Sequence, residues 1–284
     1  MKQITTIEKI CKKKPLTDHT AVIRLKDLFH PVLNCIAYTR IPYKVVIEHP
    51  CSLLPDKPVI YVANHFCFAD GPIMGRITQK RSYILAGKQR LGFSDWLFFI
   101  LNGVIFVDRK AKTDLAASKQ AMIAYLQKGR DIILFPEGTW NLTENQLMMP
   151  MKWGLVDIAK ETGAQVLPVV LEYDRECKKC FVRFSKPMFF YPEDSKALAI
   201  TALRDTMSAM RWEQCEEKGI FSRAELDIDK ERKKLHYSIE EYPIIDWAYE
   251  SSCIYRPYLE PEKVWAHLDK LIPSRENAFL FRKR

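Results

Sequence analysis

The chain has 284 residues, 48% of them hydrophobic, and Lys+Arg 44 against Asp+Glu 35 give it a net charge of +9. That apolar share supplies the core of one α/β domain with an appendage, or of two small domains, while the lack of any run of about 18 uncharged apolar residues excludes a membrane-spanning helix. The basic balance suits anionic lipid headgroups or phosphorylated substrates, and without a zinc-finger or RNP-like motif nucleic acid is not expected as a partner.

The opening Met1–Lys9 is too polar for a signal peptide, and eight scattered cysteines read as reduced thiols, so a cytoplasmic protein is expected. Cys177 and Cys180 stand without a second pair or a nearby His, and no metal site is expected. Residues 1–20 are polar and basic, with Lys12, Lys13 and Lys14 before Pro15, and read as a loose arm. Over 21–38 the pattern changes. Val22, Leu25, Phe29, Val32, Leu33 and Ile36 recur at helical spacing, with Arg24, Lys26, Asp27 and Asn34 between them. Pro31 should kink this helix or split it in two. Residues 1–40 carry eight Lys or Arg against three Asp or Glu, a net +5. A basic amphipathic helix is a candidate for lying in a membrane interface, although its apolar stripe could equally pack on the rest of the domain.

From residue 42 strand-like and helical segments alternate. Strands are predicted near 43–48, 58–63, 81–86, 104–107, 131–135, 165–172 and 180–185, and helices near 71–79, 92–102, 114–128, 151–162 and 195–218. Such alternation implies an α/β fold with a largely parallel central sheet flanked by helices. The chain thus divides into an N-terminal segment (1–40), a main domain (41–218) and a C-terminal extension (219–284). That extension opens with a charged helical stretch, 224–237. It continues into a tail holding Tyr242, Trp247, Tyr249, Tyr255, Tyr258, Trp265 and Phe279, whose aromatic content argues for order against the core.

Within this frame Val59-Ile60-Tyr61-Val62-Ala63 is an unbroken apolar run that stops at Asn64-His65. It reads as a buried, central strand, and the chain leaving such a strand at its carboxyl end is where open α/β sheets bind ligands. Asp70, before Gly71-Pro72, has the look of a helix cap. A loop with His65 at one end and Asp70 at the other can bring carboxylate to imidazole, giving a base with an orienting partner.

His65-X4-Asp70 resembles the His-X4-Asp motif of the glycerolipid acyltransferases, the lysophosphatidic-acid acyltransferase family. Gly103–Arg109 is similar to that family's second block, Phe135-Pro136-Glu137-Gly138-Thr139 to its third, and Val166-Leu167-Pro168-Val169 to its fourth. The resemblance implies an enzyme moving a fatty acyl group from acyl-CoA or acyl carrier protein to a lysophospholipid-like hydroxyl, 1-acylglycerol-3-phosphate being the first choice. No cofactor beyond the acyl donor is expected. Membrane lipids become the expected partners, with the chain peripheral on the inner face of the cell membrane through residues 1–40. The rival readings are a hydrolase using the same dyad and a lipid-binding module without turnover.

Acyl transfer to an alcohol needs a base for the hydroxyl proton, and His65 oriented by Asp70 fits that need. Cys67, inside the loop, raises a covalent alternative through an acyl-cysteine. Arg109, ending a strand, suits bidentate binding of a phosphate, and Lys88, after the preceding strand, could add a second charge. Gly138 lets backbone approach a ligand closely. By resemblance Glu137, Gly138 and Thr139 help bind the acceptor. The residue after Thr139 is usually Arg in this family and here is Trp140, which puts a phosphorylated acceptor in question and leaves a non-phosphorylated lipid or glycan hydroxyl as the alternative acceptor.

Overall fold

A computed structural model describes residues 20–53, 57–78, 81–88, 91–142, 146–219, 227–230, 233 and 247–252. The basic arm (1–19) and most of the 219–284 extension, including most of its aromatic tail, lie outside these residues. In chain order the elements are α1 (Thr20–Thr39), β1 (Lys44–His49), β2 (Val59–Ala63), α2 (Asp70–Ile77), β3 (Ser82–Gly87), α3 (Phe93–Leu101) and β4 (Val104–Val107). There follow α4 (Lys112–Gln127), β5 (Asp131–Leu134), α5 (Gly154–Thr162), β6 (Gln165–Asp174), β7 (Lys179–Phe184), α6 (Lys196–Glu217) and the short α7 (Trp247–Ser252).

The strands form one seven-stranded sheet in the order β1-β7-β6-β2-β5-β3-β4. All its pairings are parallel except β6 with β7, which a short turn joins as a hairpin. Every residue of β2 is buried, as its unbroken apolar run requires of a strand covered on both faces. Its side chains alternate between two cores. Ile60 and Val62 join Met122, Leu126, Val156 and Leu203, whereas Val59, Tyr61 and Ala63 join Ile73, Met74 and Leu167. The Asp131 carboxylate at the start of β5 accepts the Val59 amide at 2.9 Å, fixing where β2 begins.

α1 is a single helix running through Pro31, so of the kink or split expected there the split does not occur. Its faces are the reverse of an ordinary packed helix. Lys26, Asp27 and His30 are buried, while Leu25, Leu28, Phe29, Val32 and Ile36 are exposed, Leu28 at 69% and Val32 at 60%. The inward polar groups survive burial because each is partnered. Lys26 Nζ donates to Tyr125 Oη at 3.2 Å, and burial pulls its ammonium down to about 8. Asp27 accepts from Tyr83 Oη at 2.8 Å and from the Arg130 guanidinium. His30 Nδ1 donates to the Asn102 carbonyl at 2.9 Å, and its Nε2 accepts from Asn34 at 3.1 Å. Burial lowers the pKa of His30, consistent with this neutral form. Lys26 and Asp27, read from sequence as the polar side of a surface helix, therefore face the domain. Among the described residues no helix is long and apolar enough to cross a membrane.

Candidate active site

The loop leaving the carboxyl end of β2 folds back on itself around the Asp70 carboxylate. Asp70 is the first residue of α2 and not its cap, and its side chain turns toward the loop instead of the helix amides. Oδ2 lies 2.7 Å from His65 Nδ1 and accepts the amides of Phe66 (2.6 Å) and Cys67 (2.9 Å). Oδ1 accepts the Tyr173 hydroxyl from the end of β6. A fully buried carboxylate thus meets a converging set of donors, which is what keeps a buried charge tolerable. With Nδ1 donating to the carboxylate, Nε2 of His65 carries the ring's lone pair. The His65 side chain is 21% exposed, so the ring is not sealed in the core.

Around the imidazole, packing fixes the ring. Phe135 stacks on it with centroids 4.1 Å apart and planes 17° from parallel, and Trp140 meets it edge-on at 6.0 Å. The His65 backbone is held from both sides: its carbonyl accepts the Asn141 amide at 2.6 Å, and its amide donates to Glu137 Oε1 at 3.2 Å. Asn64, just before it, exchanges two hydrogen bonds with the Leu171 backbone, at 2.9 and 2.8 Å, tying the end of β2 to β6.

Glu137 is buried, and its second oxygen accepts the Met149 amide at 2.7 Å. Burial pushes its carboxyl up to about 7 against the pull of the two amides. The carboxylate therefore ties two loops together beside His65. Gly138 follows with φ +76°, the left-handed conformation that favours glycine, and packs against the Lys152 side chain. Thr139 and Trp140 are also buried. Arg109 follows β4 at the same carboxyl edge of the sheet. Its guanidinium donates to the Gly138 carbonyl and to the Glu250 carboxylate on α7. Lys88 is half-exposed and lies 3.8 Å from Asp108. His65, Asp70, Glu137, Gly138 and Arg109 are thus linked by direct or adjacent contacts, while Lys88 stands at the rim against Asp108.

The burial that shields Cys67 pushes its thiol up to about 12, with the nearby Asp70 charge adding to the effect. Three further residues belong to the site that sequence reasoning did not single out: Tyr173, Glu250 and Arg211. Arg211 comes from α6, lies 4.2 Å over the Phe66 ring and donates to the Leu147 carbonyl. No local pattern marks any of them, since each acts on a partner far away in the chain.

The Acyltransferase family model matches residues 44–172, the span from β1 through most of β6 that contains every residue of the His65 loop, the Arg109 strand and the Glu137 turn. Residues 44–172 are thus similar to the acyltransferase family. Over 122 residues the chain is 29% identical to a lyso-ornithine lipid O-acyltransferase of Pseudomonas aeruginosa, covering 43% of this chain and 46% of that protein. It is 30% identical over 131 residues to a 1-acyl-sn-glycerol-3-phosphate acyltransferase of Borreliella burgdorferi, covering 45% and 51% respectively. The chain thus spans about half the length of these curated relatives. In fold it resembles the crystal structure of the 1-acyl-sn-glycerophosphate (LPA) acyltransferase PlsC from Thermotoga maritima. The TM-score is 0.51 at 20% identity, over 71% of this chain and 81% of that one. The part of this structure outside the matched span includes α1, β7, α6 and α7, and α6 and α7 bring Arg211 and Glu250 to the site.

Proposed function

We propose that the protein transfers a fatty acyl group from a thioester, acyl-CoA or acyl carrier protein, to the hydroxyl of a membrane lysolipid. The observation that carries this reading is the 2.7 Å hydrogen bond from His65 Nδ1 to a buried Asp70. In the proposed reaction His65 Nε2 takes the acceptor's hydroxyl proton as its oxygen attacks the thioester carbonyl. The new C–O bond forms, the C–S bond breaks, and the same nitrogen returns the proton to the departing thiolate. Asp70 holds the tautomer that leaves Nε2 basic and offsets the charge of the imidazolium.

Cys67 has no part in this scheme, because a thiol whose pKa is about 12 is scarcely ionised near neutral pH. Cys67→Ala should accordingly transfer acyl groups near the parent's rate, whereas a folded but inactive Cys67→Ala would restore the acyl-cysteine route. Incubation with labelled acyl-CoA and a panel of acceptors tests the function as a whole. Acylated lipid supports transfer, free fatty acid alone would make the chain a hydrolase, and binding without turnover would make it a lipid-binding module.

For the acceptor, lysophosphatidic acid is the first choice, with Glu137, Gly138, Thr139, Arg109 and Lys88 contributing to its grip. The names of several relatives favour it. A second reading, a lysolipid without phosphate, is favoured by Trp140, which places an apolar plate beside His65.

Peripheral membrane binding completes the proposal. The outward Leu25, Leu28, Phe29, Val32 and Ile36 of α1 would enter the interface, with Arg24 and the exposed Arg40 beside them. Because Lys26, Asp27 and His30 are built into the core, removing the helix would unfold its surroundings, and surface substitution is the cleaner test. Leu28→Ser with Val32→Ser should weaken cosedimentation with anionic liposomes by at least about tenfold, since burying each such side chain is worth roughly 1.5–3 kcal/mol. Added salt should weaken the parent's binding in part. Undiminished sedimentation of the double variant would remove α1 as the docking face.

A further inference from the structure

Glu250 lies 141 positions from Arg109, yet its Oε1 accepts a hydrogen bond from Arg109 Nη2. The pair is largely withdrawn from solvent, with side-chain exposures of 9% for Arg109 and 15% for Glu250. Its neighbour Tyr249 makes the attachment firm. The Tyr249 hydroxyl accepts the Arg109 amide at 2.9 Å and donates to Asp108 Oδ1 at 2.9 Å. Backbone closes over the pair from the other side. A Cβ on Gly87, at the end of β3, would lie 2.9 Å from Arg109 Nη2 and 3.4 Å from Glu250 Oε1.

The position of this ion pair is what gives it meaning. The other arm of the guanidinium donates to the Gly138 carbonyl, and the residue before Gly138 holds the His65 amide. Lys152 packs against Gly138, Lys110 lies 5.3 Å from the Tyr249 ring, and Lys88 faces Asp108. Cations from three places in the chain, Lys88, Arg109 with Lys110, and Lys152, therefore lie around one carboxyl end of the sheet, beside the Glu137 turn that holds the His65 amide. An anion arriving beside His65 would find its natural partner in the Arg109 fork. A carboxylate of the chain's own already holds that fork.

We propose that Glu250 is a specificity-determining residue: it occupies the anion seat on Arg109, so that a phosphate-bearing acceptor must compete with it while an uncharged one need not. The seat and its occupant stand on the contacts above, and their effect on acceptor choice rests on the acyltransferase reading. A phosphate entering with Glu250 in place meets a like charge across the same guanidinium, which disfavours both.

The test uses the full chain and inorganic phosphate, followed by calorimetric titration. Glu250→Gln keeps the side chain's shape and removes its charge. It should bind phosphate about tenfold or more tightly than the parent, the scale of one charge-assisted hydrogen bond. Glu250→Asp, which keeps the charge, should stay close to the parent, and Arg109→Gln added to Glu250→Gln should abolish the gain. In acyl transfer, the ratio of kcat/KM for lysophosphatidic acid to that for monoacylglycerol should rise by about the same factor in Glu250→Gln, through KM. Equal phosphate affinity of parent and Glu250→Gln, or a gain that survives loss of Arg109, would overturn the proposal. If Glu250→Gln does not fold, Glu250→Ala carries the same expectations. Absence of acyl transfer in every variant would defeat the acyltransferase reading and leave the phosphate titration to decide the seat.

Discussion

His65→Ala is expected to lower acyl transfer by roughly 10²–10⁴-fold, the contribution of a positioned general base. The fold should survive the change. The two backbone bonds of residue 65, to Glu137 and to Asn141, do not depend on the imidazole. What disappears is the ring stacked on Phe135 and the donor to Asp70 Oδ2, an oxygen that keeps the Phe66 and Cys67 amides. Single-turnover transfer from labelled acyl-CoA, compared with thermal unfolding of the same preparation, separates chemistry from stability. A folded His65→Ala that retains the parent's rate would defeat the base assignment.

Asp70→Asn should be nearly as damaging to transfer, by about 10²–10⁴-fold, and should also cost stability, on the order of 1–3 kcal/mol. The carboxylate is surrounded by donors: His65 Nδ1 and two amides on one oxygen, the Tyr173 hydroxyl on the other. A carboxamide offers only one accepting oxygen. If that oxygen serves the His65 side, its amide group faces Tyr173, whose hydroxyl can turn to accept; the geometry then holds and the charge alone is lost. If it serves Tyr173, an N–H faces His65 and drives the ring to the wrong tautomer. Either way the developing imidazolium loses its counter-charge. The comparison to make is kcat for parent and variant, alongside their denaturation midpoints. Unchanged kcat with lowered stability would make Asp70 a loop-former and nothing more.

Much of this architecture was legible because its signals are local. β2 and β5 are short apolar runs ended by polar turns, and their buried, parallel placement follows from that pattern. All seven strands and the helices from 70 to 217 fall within about three residues of where periodicity places them. The pairing of His65 with Asp70 was legible for the same reason, since a five-residue loop closes on itself. What was not legible depends on partners distant in sequence. The spacing of α1 revealed a stripe but not its direction, because Lys26, Asp27 and His30 are satisfied by Tyr125, Tyr83, Arg130 and Asn102, 56 to 103 residues away. Of the two outcomes open at Pro31, the split is absent, since α1 runs through it as one helix. Asp70 was expected to cap α2, but the amides it satisfies precede it. The seating of Arg109 on Glu250 could not be read at all from residues 141 apart.

The reversed faces of α1 bear on the thermodynamics of reaching a membrane. Free amphipathic peptides are commonly unfolded in water and surrender conformational entropy when they fold on a lipid surface. In this chain the Lys26, Asp27 and His30 contacts have already fixed the helix and the rotation of its long axis. That ordering cost belongs to the folding of the domain, so on the proposed docking mode a bilayer meeting Leu28 and Val32 would find a surface prepared in advance. On the proposed docking mode, affinity would come from the outward side chains with little refolding set against it.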